Sequence, residues 1–240
     1  MKVERSEVER AHAIYTKGNL AIYDWWVLGL SNAWVWHCPT DRLLDLYRSH
    51  LTPNHLEVGV GTGYFPAKTM PGSHSRLALL DINRNCLEKA SKRLAAFRPE
   101  VHQANVLEPL NLRGTRFDSI AVNYVLHCLP GRLDQKAPTV FDHLIPLLEE
   151  DGVIFGATLL GQDIQRPLLA RLMMALYNRK GVFSNTQDSL GGLMEALSAR
   201  FRTFNVEVRG CVVIFWGKGL RGAFRTPPVS PVTEAAVAAG

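Results

Sequence analysis

The residues best equipped for chemistry in this chain are one acid and three glycines at fixed spacing. They are Glu57, Gly59, Gly61 and Gly63, within "NHLEVGVGTGYF" at 54–65. Glycines let the main chain turn sharply and let a ligand approach backbone atoms. A triphosphate loop needs Lys-Ser or Lys-Thr after its last glycine, yet Gly63 is followed by Tyr64. A dinucleotide fingerprint needs glycine at 64 or 66, and those positions hold Tyr64 and Pro66. An acid beside the glycines repels phosphate and suits a cationic end, an amine or a sulfonium. Asp81 follows 18 residues past Gly63 and is placed to accept both hydroxyls of a ribose. Loop and acid together describe a nucleoside with a zwitterionic amino-acid tail, S-adenosylmethionine (SAM).

Such residues must be carried at strand ends. "RLALLDI" (76–82) reads as a buried strand. The following "NRNCLEKASKRLAAF" places Leu87, Ala90, Leu94 and Phe97 on one helical face and Lys89, Lys92 and Arg93 on the other. A short run near Val101 and the stretch "FDSIAVNYVLHCLP" predict two more strands. "TVFDHLIPLLEEDG" predicts a helix ending at Gly152, and "GVIFGATLLG" a further strand. Alternation of this kind predicts a doubly wound, Rossmann-like α/β sheet. "SLGGLMEALSARF" is helical, and "FNVEVRGCVVIFWGKG" reads as a hairpin around Arg209-Gly210, giving an antiparallel last strand. Thr40-Asp41 is expected to cap the helix "DRLLDLY". The expected domains are a helical, aromatic cap at 1–40, a core at 41–222 with an insert at 161–188, and a disordered tail at 223–240.

"LEVGVGTGYF", "LALLDIN", "ANVLEPL", "FDSIAVNYVLHCLP" and "LEEDGVIFGATLLG" resemble, in order, the motifs of class I SAM-dependent methyltransferases over about 54–160. The terminal hairpin resembles that family's reversed seventh strand. The resemblance implies that Gly59, Gly61 and Gly63 lie beneath the methionine portion of SAM and that Glu57 meets its amino group. Asp81 would take the ribose hydroxyls and Ile82 would lie against the adenine. Asn105 stands where the family often has Asp and would accept from the adenine amino group, with Val106 beside it. Asn123 would present its side chain or carbonyl to the methionine portion. S-adenosylhomocysteine would be the product.

Methyl transfer from a sulfonium is an in-line displacement, so alignment in a dry site supplies much of the acceleration. His127 is the candidate base within the core motifs, with stacking or simple hydrogen bonding in the pocket as its other reading. His37 is a weaker catalytic candidate. The acceptor pocket is expected from the two covering segments: Tyr15, Trp25, Trp26 and Trp36 in the cap, Met173 and Tyr177 in the insert. Their aromatic weight points to a small, apolar or aromatic acceptor. The family resemblance implies oxygen as the guessed methyl-receiving atom, with nitrogen, sulfur or carbon also open, and fold-level analogy implies natural-product metabolism as the setting. The tetrapeptide [DN]PP[YF] of nucleobase and glutamine-amide methyltransferases is replaced by "NYVL". A protein methyltransferase and a non-catalytic SAM-binding scaffold remain the alternatives.

The bulk properties agree with one soluble domain: 240 residues, 47% hydrophobic and 20% charged. Residues 1–160 hold 17 basic and 17 acidic side chains, and 161–240 hold 10 and 5, so the formal charge of +5 lies wholly in the last third. It is scattered there, unlike a nucleic-acid footprint. Cys38, Cys86, Cys128 and Cys211 form no CxxC pair, which fits a reducing compartment and no metal site. The start lacks the apolar core of a signal peptide, and the richest apolar run is broken by Asp24, Ser31 and Asn32. A cytoplasmic location with no membrane partner is expected; the oligomeric state is not readable.

Overall fold

The computed structural model describes residues 31–72, 75–112 and 115–224. Tyr15, Trp25 and Trp26, and all but the last ten residues of the expected cap, lie outside the described residues.

Strands β1 (Asn54–Val58), β2 (Arg76–Asp81), β3 (Glu100–Gln103), β4 (Phe117–Asn123) and β5 (Leu148–Leu159) run parallel. β6 (Phe201–Arg209) and β7 (Val212–Leu220) complete the sheet, with β7 antiparallel to both neighbours. The order is β3-β2-β1-β4-β5-β7-β6. It reverses between β1 and β4, and in open sheets ligands bind beyond the strand ends at such a point.

Helices cover both faces because the strands alternate apolar side chains between them. Leu56, Val58, Ile120, Val122 and Ile154 join one core with α4 (Leu133–Leu144) and α6 (Leu190–Arg200). On the opposite face Ala121, Phe155 and Ala157 pack with Tyr47 and its neighbours on α1 (Thr40–His50). Leu77 and Leu79 meet Leu87, Ala90 and Leu94 on and just beyond α3 (Arg84–Arg93), as the amphipathic pattern predicts. Asn83 caps α3 by accepting from the backbone N–H of Asn85 and Cys86. A short helix, α2 (Tyr64–Thr69), follows the glycine loop, and α5 (Leu168–Arg179) forms most of the insert.

Three boundaries differ from expectation. The helix read through to Gly152 stops at Leu144, and β5 already begins at Leu148. Pro146 forces a tight turn at Ile145–Leu147, and Leu148 pairs with Phe117. α1 starts at Thr40 with Pro39 at its N-cap; the Thr40 hydroxyl instead accepts from Asn32 Nδ2 at 3.0 Å. The core also runs past Gly222, since Phe224 packs against it with the Arg200 guanidinium 5.4 Å from its ring centre. The remaining expected tail lies outside the described residues.

Candidate active site

The loop after β1 and the ends of β2 and β4 meet at the switch point. A concavity there is lined by Glu57, Gly59, Gly61, Tyr64, Asn123 and Tyr124. The three glycines have different reasons to be glycine. A side chain at Gly59, φ +69°, would strike Val125 Cγ2 at 2.3 Å. At Gly61, φ +51°, a Cβ would meet nothing within 4 Å, because this residue faces the open concavity. Gly63 packs where α2 meets α3, with Leu94 Cδ1 3.0 Å from the place of a Cβ. Among the three, only Gly61 keeps free space over the loop.

Glu57 is 3% exposed. Tyr47 Oη donates to its Oε1 at 2.6 Å, and His55 Nε2 lies 3.0 Å from its Oε2. Burial and the neighbouring carboxylate push the Tyr47 phenol well above its ordinary range, so it stays a donor. The Asn123 amide also faces the Tyr47 hydroxyl, while Asn123 Oδ1 is buried without a hydrogen-bond partner. An orphaned acceptor beside a carboxylate is the environment a cationic amino group needs.

Asp81 is treated differently. Burial pushes its carboxyl up to about 6, against backbone N–H groups of Asn83, Gly61, Val60 and Ile82 that favour the ionised form. Asn83 N–H reaches Oδ1 at 2.8 Å. Ile82 is half-buried beside it, its carbonyl accepting from Gln103 Nε2 at 3.1 Å. Asn105 shapes its own turn: Oδ1 accepts from Leu107 N–H at 3.0 Å and Nδ2 donates to Glu108 at 3.1 Å. Val106 is buried, and its carbonyl contacts His143 Nδ1 at 2.9 Å.

His127 follows β4 in a tight turn, buried, with Nδ1 3.3 Å from Thr158 Oγ1. Burial first, and the Lys136 ammonium second, push its pKa down to about 3. The ring is therefore neutral at physiological pH and holds a proton poorly, which suits hydrogen bonding and packing better than proton abstraction. It sits edge-on to Phe183 at 4.6 Å and to Tyr124 at 5.7 Å. Phe183 in turn meets Tyr177 at 4.9 Å and Trp36 at 6.1 Å. Met173 packs in the same cluster. Trp36 is only 2% exposed, so it anchors this wall and presents little surface of its own. His37 is exposed, at φ 55°, beside the β6–β7 turn, where a Cβ on Gly210 would lie 2.6 Å from its Cβ.

The insert that bears this wall is closed at its neck, where Gly161 and Gln162 N–H both donate to the Asp188 carbonyl at 3.0 Å. Lys136, fully buried on α4, sits 2.8 Å from Asp188 Oδ2 and donates to the carbonyls of Leu129 and Ser184. Ser184 N–H donates to the His127 carbonyl at 2.8 Å.

Sequence reasoning overlooked Tyr47, His55, Ser119, Tyr124 and Lys136. His55 had a signal: two residues before Glu57 on a strand, it must share that face. Tyr47 and Lys136 had none, because their partners are distant in sequence.

The geometry and known proteins agree. The family model described as a methyltransferase domain matches residues 56–154. The chain is 40% identical over 209 residues to a physcion biosynthesis cluster O-methyltransferase of Aspergillus chevalieri, covering 86% of this chain and 94% of that protein. It is 35% identical over 210 residues to the demethylluteothin O-methyltransferase of Streptomyces thioluteus, covering 87% and 91%. The N-methyltransferase NodS of Bradyrhizobium japonicum, solved with S-adenosylhomocysteine, shares the fold at TM-score 0.54 and 18% identity, over 75% of this chain and 84% of that one. Among the described residues no helix is long and apolar enough to cross a membrane. With the methyltransferase-domain match, and relatives 35–40% identical over more than nine-tenths of their own length, the chain belongs to the class I SAM-dependent methyltransferases.

Proposed function

We propose that this enzyme methylates a hydroxyl oxygen of a small aromatic natural product. The observation that carries the reading is the continuous aromatic wall Tyr124–His127–Phe183–Tyr177, which begins at the cofactor cleft and runs along the insert. A flat apolar acceptor has ring edges and faces to pack against there. The names of two relatives, an O-methyltransferase of a physcion biosynthesis cluster and a demethylluteothin O-methyltransferase, support the same class.

SAM supplies an electrophilic methyl group when bound. The chain's own residues do the rest. Glu57 and Asn123 Oδ1 accept from the amino group, Gly61 leaves room over the loop, and Asp81 receives the ribose hydroxyls, sharing its lone pairs with the loop N–H groups. Ile82, Val106 and Asn105 border the adenine. On the acceptor side Met173, Tyr177 and Phe183, backed by the buried Trp36, exclude water and fix the ring plane. His127 would orient the acceptor oxygen as a neutral hydrogen-bond partner, which suits phenols acidic enough to shed their proton in water and enter the site as phenolates. The small cavity-lining wall is also why a protein acceptor is less suited than a small one.

Incubation with SAM and a panel of phenols, thiols and amines, read as methyl mass gain, tests the proposal. Methylation of planar phenols is the expected result. Binding of S-adenosylhomocysteine without turnover on any acceptor would favour a SAM-binding scaffold instead.

A further inference from the structure

β1 is flanked by β2 and β4 in the middle of the sheet, a costly place for polar side chains. Yet it buries two on one face, His55 at 0% and Glu57 at 3% exposure. Their partners form a chain. Thr52 Oγ1 lies 2.9 Å from Ser119 Oγ, which also accepts from the Thr52 N–H at 3.0 Å. Ser119, paired with His55 across β1 and β4, places Oγ 2.8 Å from His55 Nδ1. His55 Nε2 reaches Glu57 Oε2 at 3.0 Å, and Tyr47 holds Oε1 from the other side. The chain ends at Asn123, whose Oδ1 is the orphan in the cleft. Phe155 stacks on the imidazole, with ring centres 5.9 Å apart.

We infer that His55, held by Ser119, is a positioning residue for the cofactor's amino-acid tail. By occupying one lone pair of Oε2 while Tyr47 occupies one of Oε1, it fixes the Glu57 carboxylate in a single rotamer. The remaining lone pairs then converge with Asn123 Oδ1 on one ammonium position. This rests on Glu57 facing the amino group of SAM. A histidine that merely filled the core would affect folding and nothing specific to that tail.

The test measures binding by calorimetry with two probes. S-adenosylhomocysteine carries the tail; methylthioadenosine is the same thioether nucleoside without it. His55→Leu is expected to weaken S-adenosylhomocysteine at least about tenfold and to leave methylthioadenosine within about twofold. His55→Gln, whose side-chain amide can still donate toward Oε2, is expected to recover most of the loss. Ser119→Ala, which leaves the histidine in place, is expected to weaken S-adenosylhomocysteine about threefold and spare the other probe; it serves if His55→Leu does not fold. Equal loss of both probes, unchanged S-adenosylhomocysteine binding, or a glutamine variant no better than leucine would overturn the inference. Failure of the wild-type protein to bind S-adenosylhomocysteine would instead remove the cofactor assignment, and this inference with it.

Discussion

The cleft has two walls made by different means. The proposed cofactor wall consists of backbone and strand ends: the glycine loop, Asp81 ringed by main-chain N–H groups, Asn123 closing β4. The proposed acceptor wall consists of side chains, Tyr124 and His127 after β4 together with Phe183 and Tyr177 on an insert. That insert is tied to the core by the Lys136–Asp188 pair, the Ser184–His127 bond, the neck and the buried Ala170 and Met174. Backbone geometry is shared by any sequence that adopts the fold, whereas side chains on a tethered segment can vary freely. One wall is therefore suited to a constant ligand and the other to a changing one.

Cutting the tether gives the largest expected effect. Lys136→Met leaves Asp188 buried and unpaired and should cost about 3–5 kcal/mol in urea unfolding. The double variant Lys136→Met/Asp188→Leu should regain most of that, because no charge is then stranded. A loss confined to the acceptor wall would show as weaker acceptor KM with unchanged S-adenosylhomocysteine affinity.

On the opposite wall, Gly59→Ala should destabilise by roughly 2–4 kcal/mol, combining the Val125 clash with an unfavourable positive φ. Gly61→Ala should cost only about 1–2 kcal/mol in stability while reducing S-adenosylhomocysteine binding more than stability. If both glycine variants unfolded alike, the distinction between a packing glycine and a space-keeping glycine would fail.

Asp81→Ala should weaken S-adenosylhomocysteine by about 1–3 kcal/mol in calorimetry. With its carboxyl pushed up to about 6 by burial, this residue also makes binding pH-dependent. Ribose hydroxyls favour the ionised form, so affinity should hold above about pH 7 and fall toward tenfold per unit well below pH 6. Asp81→Asn should abolish that slope. For folding the sign is opposite. The native state binds the proton more tightly than the unfolded state, whose ordinary value is 3.8, so this residue's contribution to stability rises as pH falls from 6 toward 3.8.

The smallest effect is expected at Tyr177→Leu. It should alter the ranking of phenolic acceptors by several-fold in kcat/KM while leaving S-adenosylhomocysteine affinity within about twofold. Equal changes in both would mean the two walls are not separable.

The sheet was legible because its strands are apolar runs and its helices have a clear 3.6-residue period, as in "NRNCLEKASKRLAAF". The helix boundary at Leu144 was misread because Glu149, Glu150 and Asp151 look like a solvated helical turn, whereas they lie near the start of β5, where its register with β4 shifts. In the site, Glu57 and Asp81 could be placed from spacing and Asn123 from the family resemblance, each standing at or beside a strand end. The relay behind Glu57 could not, since Tyr47 and Ser119 reach it only through the pairing of β1 with β4 and the packing of α1. His127 was read as a base or as a stacking and hydrogen-bonding group; its depth of burial, and after it the Lys136 ammonium on another helix, lower its basicity, and no local pattern reveals either.

The neck of the insert makes that segment resemble a cassette. Its two ends leave and rejoin the core side by side, and Gly161 admits the Asn185 carbonyl so closely that a Cβ would lie 1.8 Å from it. A graft of residues 162–187 from another member of the family, keeping Gly161, Asn185 and Asp188, would exchange what the enzyme accepts while the donor half stays untouched. Such a layout lets new acceptor preferences arise by recombination within a single short stretch of gene.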